Sequence, residues 1–142
     1  MQNQIREIPL PNARRPSVLV VDDDPIAREI AMEALVSAGY PCRCAEDGEF
    51  GIAAMEARPA DLVLLDVVMP NKEGIETLRE IKQRWPSTIV IMMSAGTRVM
   101  PSQGLLGIAS SLGADATMPK PVRPGPLLAL VEAVTGVHRT LS

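Results

Sequence analysis

The sequence is poor in aromatic residues, and it contains no long apolar run. One Trp, one Tyr and one Phe occur in 142 residues, so stacking of nucleic-acid bases on aromatic side chains is not expected. The net charge of -3 also argues against a basic surface for nucleic acid. No apolar stretch approaches the roughly 20 residues that a membrane span needs, and the polar N-terminus has no signal-peptide segment. These features predict a cytoplasmic protein that binds no nucleic acid and does not insert into membranes.

Cysteine and histidine are also scarce, which limits the catalytic chemistry. Cys42 and Cys44 are two residues apart on a predicted strand, where they are poorly placed to bond to each other, and we interpret them as small buried hydrophobic residues. The only histidine, His138, lies close to the C-terminus, where a solvated tail is expected. A Ser-His-Asp or Cys-His site would therefore depend on this one unpromising histidine.

The length suits one domain with one hydrophobic core. Residues 1–16 contain three prolines and a pair of arginines, which predicts a flexible N-terminal arm. The domain itself is expected at 17–136, followed by a C-terminal tail at 137–142. Because no DNA-binding helix pair or second catalytic core follows Val134, the pattern favours a stand-alone domain.

Short apolar runs alternate with segments of helical periodicity along the chain. The predicted strands are residues 17–21, 40–45, 62–65, 88–93 and 116–118, and the predicted helices are residues 25–38, 48–57, 74–85, 101–112 and 124–135. Each connection is long enough for a right-handed parallel crossover. The alternation predicts an α/β fold, a three-layer sandwich of five parallel strands and five helices.

Two details of the helices can be predicted as well. Asp24 and Asp47 precede the first two helices, where a short acidic side chain is a favoured N-cap. Apolar residues at helical spacing mark one face of each of two helices: Ile26, Ile30 and Ala34 on the first, and Leu105, Ile108, Ala109 and Leu112 on the fourth.

Polar residues follow four of the five strands. Asp22 and Asp23 come after the first strand, Asp66 after the third, Ser94 after the fourth and Lys120 after the fifth. Each alone has an ordinary explanation, such as an N-cap, a turn or a solvated charge. In an open parallel sheet, however, ligands bind at the carboxyl ends of the strands, so together these side chains predict one site.

The residue types suit phosphoryl transfer to Asp66. Clustered carboxylates repel unless a cation neutralises them, and a site of oxygen ligands alone suits Mg²⁺. Aspartate can act as a nucleophile and form an acyl phosphate. Of the three equatorial phosphoryl oxygens, Mg²⁺ would take one, Lys120 the second, and the Ser94 hydroxyl with the Ala95 backbone N–H the third.

With these motifs, the chain resembles the receiver (response regulator) domain of two-component phosphorelay systems over Val18 to Val134. The matching segments are Val20 to Asp24, Asp61 to Asp66 with Met69, Pro70 and Gly74, Met93 to Ala95, Gly113 to Asp115, and Lys120 with Pro121. The resemblance implies a flavodoxin-like sheet of strand order 2-1-3-4-5. It also implies that Asp66 takes a phosphoryl group from a histidine kinase or a histidine phosphotransfer protein.

The resemblance further implies roles for individual residues. Mg²⁺ or Mn²⁺ would be bound by Asp23, Asp66 and the backbone carbonyl of Val68, with Asp22 holding a metal-bound water. Ser94 would be the switch hydroxyl and Lys120 the phosphate-binding lysine. The Lys120–Pro121 peptide bond is expected to be cis.

The chain departs from the family pattern at several positions. Thr117 stands where such domains usually carry an aromatic residue, and Val122 replaces an aromatic residue that often follows Lys-Pro. The stretch from Ser94 to Lys120 is longer than usual, which suggests a mobile or reshaped fourth-helix region. Val68 and Gly96 offer no polar side chain to orient an attacking water, which predicts slow self-dephosphorylation.

The expected output is a phosphorylation-dependent surface for a downstream protein partner, or a relay of phosphate to another histidine protein. Homodimer formation is left open. Two other classes share part of this pattern: a small Mg²⁺-dependent phosphatase of the haloacid-dehalogenase type, which would use Asp22 and Asp24 as its pair of acids, and a flavodoxin-like flavin binder, which the few aromatic residues disfavour. We therefore expect a signalling domain rather than an enzyme.

Overall fold

The computed structural model describes residues 15–67, 73–95 and 102–136, with the backbone alone at residues 73, 102, 103, 105 and 106. Within these ranges five strands alternate with five helices, as predicted. The elements are β1 (Val18–Val21), α1 (Pro25–Ser37), β2 (Cys42–Ala45), α2 (Gly48–Ala57), β3 (Leu62–Asp66), α3 (Glu73–Arg84), β4 (Ile89–Ser94), α4 (Ser102–Ser111), β5 (Ala116–Pro119) and α5 (Pro124–Thr135).

The five strands form one parallel sheet in the order β2-β1-β3-β4-β5. This is the flavodoxin-like order, and the prediction is confirmed. All five residues of the central strand β3 are buried. Because every strand runs in the same direction, the residues that follow β1, β3, β4 and β5 meet at one edge, here called the carboxyl edge.

The helices cover both faces of the sheet and create two hydrophobic cores. The α1–α5 core contains Val20 and Leu64 of the sheet, Leu35 of α1, and Leu127 of α5. The α2–α4 core lies on the other face, where residues such as Leu19 and Leu65 meet side chains of α2, α3 and α4. Successive strand residues point to opposite faces, so the apolar runs serve both cores. Within the described residues, no helix is long and apolar enough to span a membrane.

The buried face of α1 differs from the face that the sequence suggested. Ile26 is 69% exposed and Ile30 is 38% exposed, whereas Ala31, Ala34 and Leu35 are buried. Residues four apart advance by about 40° around a helix of 3.6 residues per turn. The series of positions 26, 30 and 34 therefore reaches the buried stripe only at Ala34.

Two further predictions about burial are wrong in part. On α4, Ala109 is buried, but Ile108 and Leu112 are 43% and 39% exposed; the side chain of Leu105 lies outside the described residues. Cys42 is half-buried, as expected for a small hydrophobic residue, but Cys44 is exposed, because β2 is an edge strand of the sheet that the described residues form.

The predicted helix caps are confirmed. Asp24 accepts a hydrogen bond from Ile26 N, and Asp47 accepts one from Phe50 N. The Lys120–Pro121 peptide bond is cis, as the resemblance implied. Of the predicted arm, Arg15 is described, and its guanidinium carbon lies 5.3 Å from the centroid of the Tyr40 ring. Residues 1–14, and His138 with the rest of the predicted tail, lie outside the described residues.

Candidate phosphoryl-acceptor site

Three carboxylates gather at the carboxyl edge. Asp66 is the last residue of β3 and is 4% exposed, and Asp22, directly after β1, is fully buried. Asp23 follows and is exposed. One carboxylate oxygen from each of the three lies within 4.8 Å of the others. Such proximity of three negative charges is costly without positive charge nearby.

Asp24 and Arg28, at the start of α1, hold the side chain and the backbone carbonyl of Asp22 respectively. Asp24 N donates to Asp22 Oδ1 at 2.9 Å, and the Arg28 guanidinium donates through Nη1 to the Asp22 carbonyl at 2.7 Å. Sequence reasoning missed Arg28. Its position in the first turns of the helix after the acidic loop was the available signal, since a long side chain there can reach back toward the helix N-terminus.

Lys120 supplies the positive charge. Its Nζ lies 2.7 Å from Asp22 Oδ2 and 3.2 Å from Asp66 Oδ2. Its backbone N donates to the carbonyl of Ser94 at 2.9 Å, which fixes the residue against the end of β4. Burial alone would lower the pKa of Lys120, but the hydrogen bonds and charges of Asp22 and Asp66 outweigh it, and the pKa is raised above its ordinary value. The ammonium form is therefore the one present at neutral pH.

Ser94 and Ala95 lie at the same edge on the neighbouring strand. Asp66 pairs in register with Met93, and Val67 N donates to the Met93 carbonyl at 2.8 Å. Ser94 is therefore one residue beyond the Asp66 pair, and it is fully buried. Ala95 is exposed and, with Lys120, lines a groove against the first turn of α1.

Gly74 fixes the approach of α3 to the site. A Cβ at this position would clash with the carbonyl oxygens of both Asp66 and Val67. Only glycine allows the first turn of α3 to pack so closely on the chain that leaves β3. In the sequence, Gly74 is the first residue of the predicted third helix and one of the residues that carry the family resemblance, but nothing there indicates this contact.

The cluster fits a hard divalent cation. Its donors are carboxylate oxygens, which Mg²⁺ and Mn²⁺ prefer over nitrogen or sulfur ligands. Two of the three carboxylates are buried while Asp23 is exposed, so an ion could bind with part of its water shell kept. Asp22, Asp23 and Asp66 are thus the described residues that could hold it.

Of three further residues with predicted roles, Thr117 alone lies within the described residues. Val68 and Gly96 lie outside the described residues, so the metal ligand and the open path for water expected there stay predictions. Thr117 is half-buried in β5 and pairs in register with Met92. Among the described site residues, the structure brings together Asp22, Asp23, Asp66 and Lys120, with Ser94 and Ala95 on the adjoining strand.

The chain is similar in sequence to one family of known proteins. The family model of the response regulator receiver domain matches residues 18–132. The transcriptional regulatory protein CpxR of Klebsiella pneumoniae is 35% identical over 117 residues, which cover 82% of this chain and 48% of that protein. The DNA-binding transcriptional regulator NtrC of Salmonella typhimurium is 36% identical over 119 residues, 84% of this chain and 24% of NtrC. The chain thus spans about half the length of CpxR and about a quarter of the length of NtrC.

Solved structures show the same fold. The receiver domain of NtrX from Brucella abortus superposes with a TM-score of 0.77 at 28% identity, over 86% of this chain and 100% of that one. A CheY-like receiver domain protein from Methanospirillum hungatei gives a TM-score of 0.75 at 29% identity, over 85% and 94% of the two chains.

Proposed function

Because this chain belongs to the receiver domain family of response regulators, we propose that Asp66 is the residue that accepts the phosphoryl group. Receiver domains act in two-component signal transduction, in which phosphorylation switches the domain between states. The assignment to Asp66 rests on one observation above all. Its buried carboxylate ends the central strand within 4.8 Å of two other carboxylates and 3.2 Å from the Lys120 ammonium.

The proposed reaction is an in-line transfer. A carboxylate oxygen of Asp66 forms a bond to phosphorus while the bond from phosphorus to the donor's imidazole nitrogen breaks, and the imidazole leaves with the electron pair. The donor is a histidine kinase or a histidine phosphotransfer protein. Lys120 already contacts the acceptor and stays protonated, so its ammonium can hold one phosphoryl oxygen as negative charge arrives.

The remaining residues bind and orient. Ser94, one residue beyond the register partner of Asp66, offers its hydroxyl to another phosphoryl oxygen, together with the Ala95 backbone N–H. Asp23 and Asp66 would hold Mg²⁺ or Mn²⁺ directly and Asp22 through a metal-bound water, with the Val68 carbonyl as a further proposed ligand. When bound, the ion supplies positive charge that offsets the repulsion between carboxylates and phosphoryl oxygens. Arg28 keeps the Asp22 backbone in place.

Intact mass measurement after incubation with acetyl phosphate and Mg²⁺ tests this proposal. Wild type should gain the mass of one phosphoryl group, and Asp66→Asn should gain none. Asp24→Asn is the matched control, because Asp24 lies two residues from Asp22 but caps α1 through Ile26 N at 3.0 Å. It should be labelled like wild type. A phosphoryl adduct on both wild type and Asp66→Asn would refute the assignment of the site.

The position of Asp24 also bears on the phosphatase alternative. That mechanism needs Asp22 and Asp24 to face one substrate, whereas Asp24 is exposed and engaged as a helix cap. We therefore propose that the chemistry stops at phosphorylation of Asp66 from a donor and its slow hydrolysis, without turnover of other phosphate esters. Catalytic release of phosphate from a generic phosphate ester would contradict this.

For the output we propose a protein-binding surface rather than nucleic-acid contacts by these residues. CpxR and NtrC are transcriptional regulators, but this chain matches 48% and 24% of their lengths. Its low aromatic content and its net charge of -3 support a protein partner. The partner's higher affinity for the phosphorylated state would couple the phosphoryl group to the response. Formation of a homodimer is one form that this response could take.

A further inference from the structure

Three sulfur-bearing side chains come together beside β2, on the side of α1. Met32 Sδ lies 3.2 Å from Cys44 Sγ. Cys42 precedes Cys44 by two residues, so the two side chains leave the same face of the strand. Cys42 packs against the α1–α5 core, which identifies that face as the one toward α1. The direct neighbours of the two cysteines in sequence offer no metal ligand, but the fold brings Met32 to them from another element.

The two thiols also lie close to each other. Cys42 Sγ contacts the carbonyl oxygen of Arg43 at 3.7 Å, and this oxygen lies between Cys42 and Cys44 along the strand. The Cys42 thiol therefore points toward Cys44. Burial first, and then the charge of Cys44, raise the pKa of Cys42 to about 12, as expected for thiols that repel each other once ionised. A cation bound between them would remove that repulsion.

The spacing of the sulfur atoms suits a single metal ion. Zinc–sulfur bonds are about 2.3 Å long, so two sulfur ligands of one ion of similar size lie at most about 4.6 Å apart. The 3.2 Å between Met32 Sδ and Cys44 Sγ is within that limit. Alternate residues of a strand are about 6.6 Å apart, and rotation about χ1 can bring the Cys42 thiol closer to the other two sulfur atoms.

The ligand types favour a soft cation. Thiolate and thioether sulfur suit Cu(I), whereas carboxylate and water oxygens suit Mg²⁺. Structural Zn²⁺ takes four ligands, commonly further cysteines or histidines. In the part of the chain that the structure describes, neither Cys42 nor Cys44 belongs to a group of three His, Cys, Asp or Glu ligands. A set of two thiols and one thioether therefore favours Cu(I) over Zn²⁺.

The surroundings give an ion access from solvent. Cys44 is exposed, and Met32 lines a shallow groove together with Glu29 and Glu33, whose negative charges attract cations. Arg28 is the opposing charge on this side. Burial raises the pKa of Cys44 and the charge of Arg28 lowers it in part, so Arg28 favours the thiolate, which is the form that binds metals.

We propose that Cys42, Cys44 and Met32 form a binding site for one Cu(I) ion, which joins β2 to α1. Each thiol releases its proton to solvent as its sulfur binds the ion, and the Met32 thioether binds without a change of protonation. The Cys42 thiol gives up its long contact with the Arg43 carbonyl. This site uses different residues and a different ligand chemistry from the carboxylate cluster at the carboxyl edge.

Competition with a coloured Cu(I) chelator, bathocuproine disulfonate, measures the affinity of the full chain in the absence of oxygen. Wild type should take one equivalent of Cu(I) per chain from the chelator. Met32→Leu keeps an apolar side chain of similar volume but lacks the thioether, and it should bind Cu(I) at least tenfold more weakly. Cys42→Ser and Cys44→Ser should each weaken binding further, because each loses a thiolate.

Met118→Leu is the matched control, because Met118 lies in β5 at the opposite edge of the sheet of described strands. It should bind Cu(I) like wild type. A large excess of Mg²⁺ should not displace the ion, because Mg²⁺ prefers oxygen ligands. Urea unfolding without copper checks that each variant is folded, and Met32→Leu, the mildest change, decides the outcome if a serine variant unfolds.

Three results would overturn the proposal. Equal affinity of wild type and Met32→Leu would mean that thiols alone hold the ion. Equal affinity of wild type and Cys42→Ser would remove Cys42 from the site. Half an equivalent of Cu(I) per chain, with a dimer in size-exclusion chromatography, would mean that the exposed Cys44 residues of two copies share the ion.

Alkylation by iodoacetamide gives a second measurement without a chelator. Bound Cu(I) should slow the modification of Cys44 at least tenfold in wild type and much less in Met32→Leu. Peptide mapping assigns the modified residue. An unchanged rate at Cys44 in copper-loaded wild type would contradict binding through this sulfur.

Discussion

At the scale of single residues, Gly74 shows how backbone shape determines the position of the acceptor. The first turn of α3 rests on the carbonyl oxygens of Asp66 and Val67, and those oxygens are atoms of the main chain. A flexible side chain could move aside for a methyl group, but displacing the end of a strand inside a five-stranded sheet costs more free energy.

We expect Gly74→Ala to lower the free energy of unfolding by about 1–3 kcal/mol, as overpacking commonly does, and to slow phosphorylation by acetyl phosphate. Gly107→Ala is the matched control, because a Cβ at Gly107 has no neighbour within 4 Å. In helix α4 that change should be neutral or stabilising by up to about 1 kcal/mol. Urea unfolding measures both, and equal stability of the two variants would contradict the close contact at Gly74.

The two cysteines are neighbours in sequence but differ in reactivity. Burial, followed by the charge of Cys44, raises the pKa of the Cys42 thiol to about 12. A raised pKa leaves little thiolate, about one part in 10⁴ at pH 8 for a value near 12, and the thiolate is the reactive form. Cys44 is the more exposed thiol, although burial raises its pKa as well.

Iodoacetamide at pH 8 should therefore modify Cys44 first and Cys42 only slowly, and the rate at Cys42 should increase as the pH rises toward 12. Peptide mapping at successive times separates the two sites. Cys42→Ala controls for assignment of the fast phase. Modification of Cys42 as fast as Cys44 would show that Cys42 is not protected by burial.

At the scale of helices and strands, the two capping aspartates make similar contributions with different surroundings. Asp24 accepts from Ile26 N at 3.0 Å beside the carboxylate cluster. Asp47 accepts from Phe50 N at 2.8 Å at the start of α2, in a loop that contributes no residue to the cluster. Each satisfies a backbone amide that the helix itself leaves without a partner.

We expect Asp47→Ala to cost about 1 kcal/mol of stability, whereas Asp47→Asn should cost far less because asparagine caps nearly as well. Urea unfolding compares the three proteins, and phosphorylation of all three by acetyl phosphate should be equal. A loss of phosphorylation in Asp47→Ala would indicate that α2 contributes more to the site than a cap accounts for.

Most helices and strands could be predicted from the sequence because the strands have a recognisable apolar pattern. Buried parallel strands are short runs without polar residues, and the run from Leu62 to Leu65 stops at Asp66 in the sequence as in the structure. The face of α1 could not be predicted in the same way. Ile26 and Ile30 are as apolar as Leu35, so hydrophobicity alone does not show which side of α1 faces the sheet. Three apolar residues over two turns are too few to define that side.

The sequence predicts those residues of the candidate site that lie at the end of a strand or directly after it. Asp22, Asp66 and Ser94 follow from that rule together with the strand order, and Lys120 follows β5. The contacts of Arg28 and Gly74 could not be predicted in this way, because both depend on how a helix packs against the end of a strand. Such packing is a property of the tertiary structure, and it produces no periodic pattern in the sequence.

At the scale of the whole molecule, the acidic cluster should link folding to divalent cations. An ion that binds only the native state stabilises it by mass action, by about 1.4 kcal/mol at a concentration tenfold above the Kd. We expect Mg²⁺ to raise the midpoint of urea unfolding for wild type and to do so much less for Asp23→Asn. Asp24→Asn, which leaves the three clustered carboxylates in place, should respond like wild type. An equal response from Asp23→Asn would exclude Asp23 as a ligand.

The division of the interior by the sheet has a consequence for how the sequence can change. Leu19 and Val20 are adjacent in the chain, yet they belong to the α2–α4 core and the α1–α5 core respectively. Substitutions that share no packing partners are close to additive in free energy. The two layers of helices are therefore free to diverge independently, and either interior could be redesigned while the other keeps its native residues.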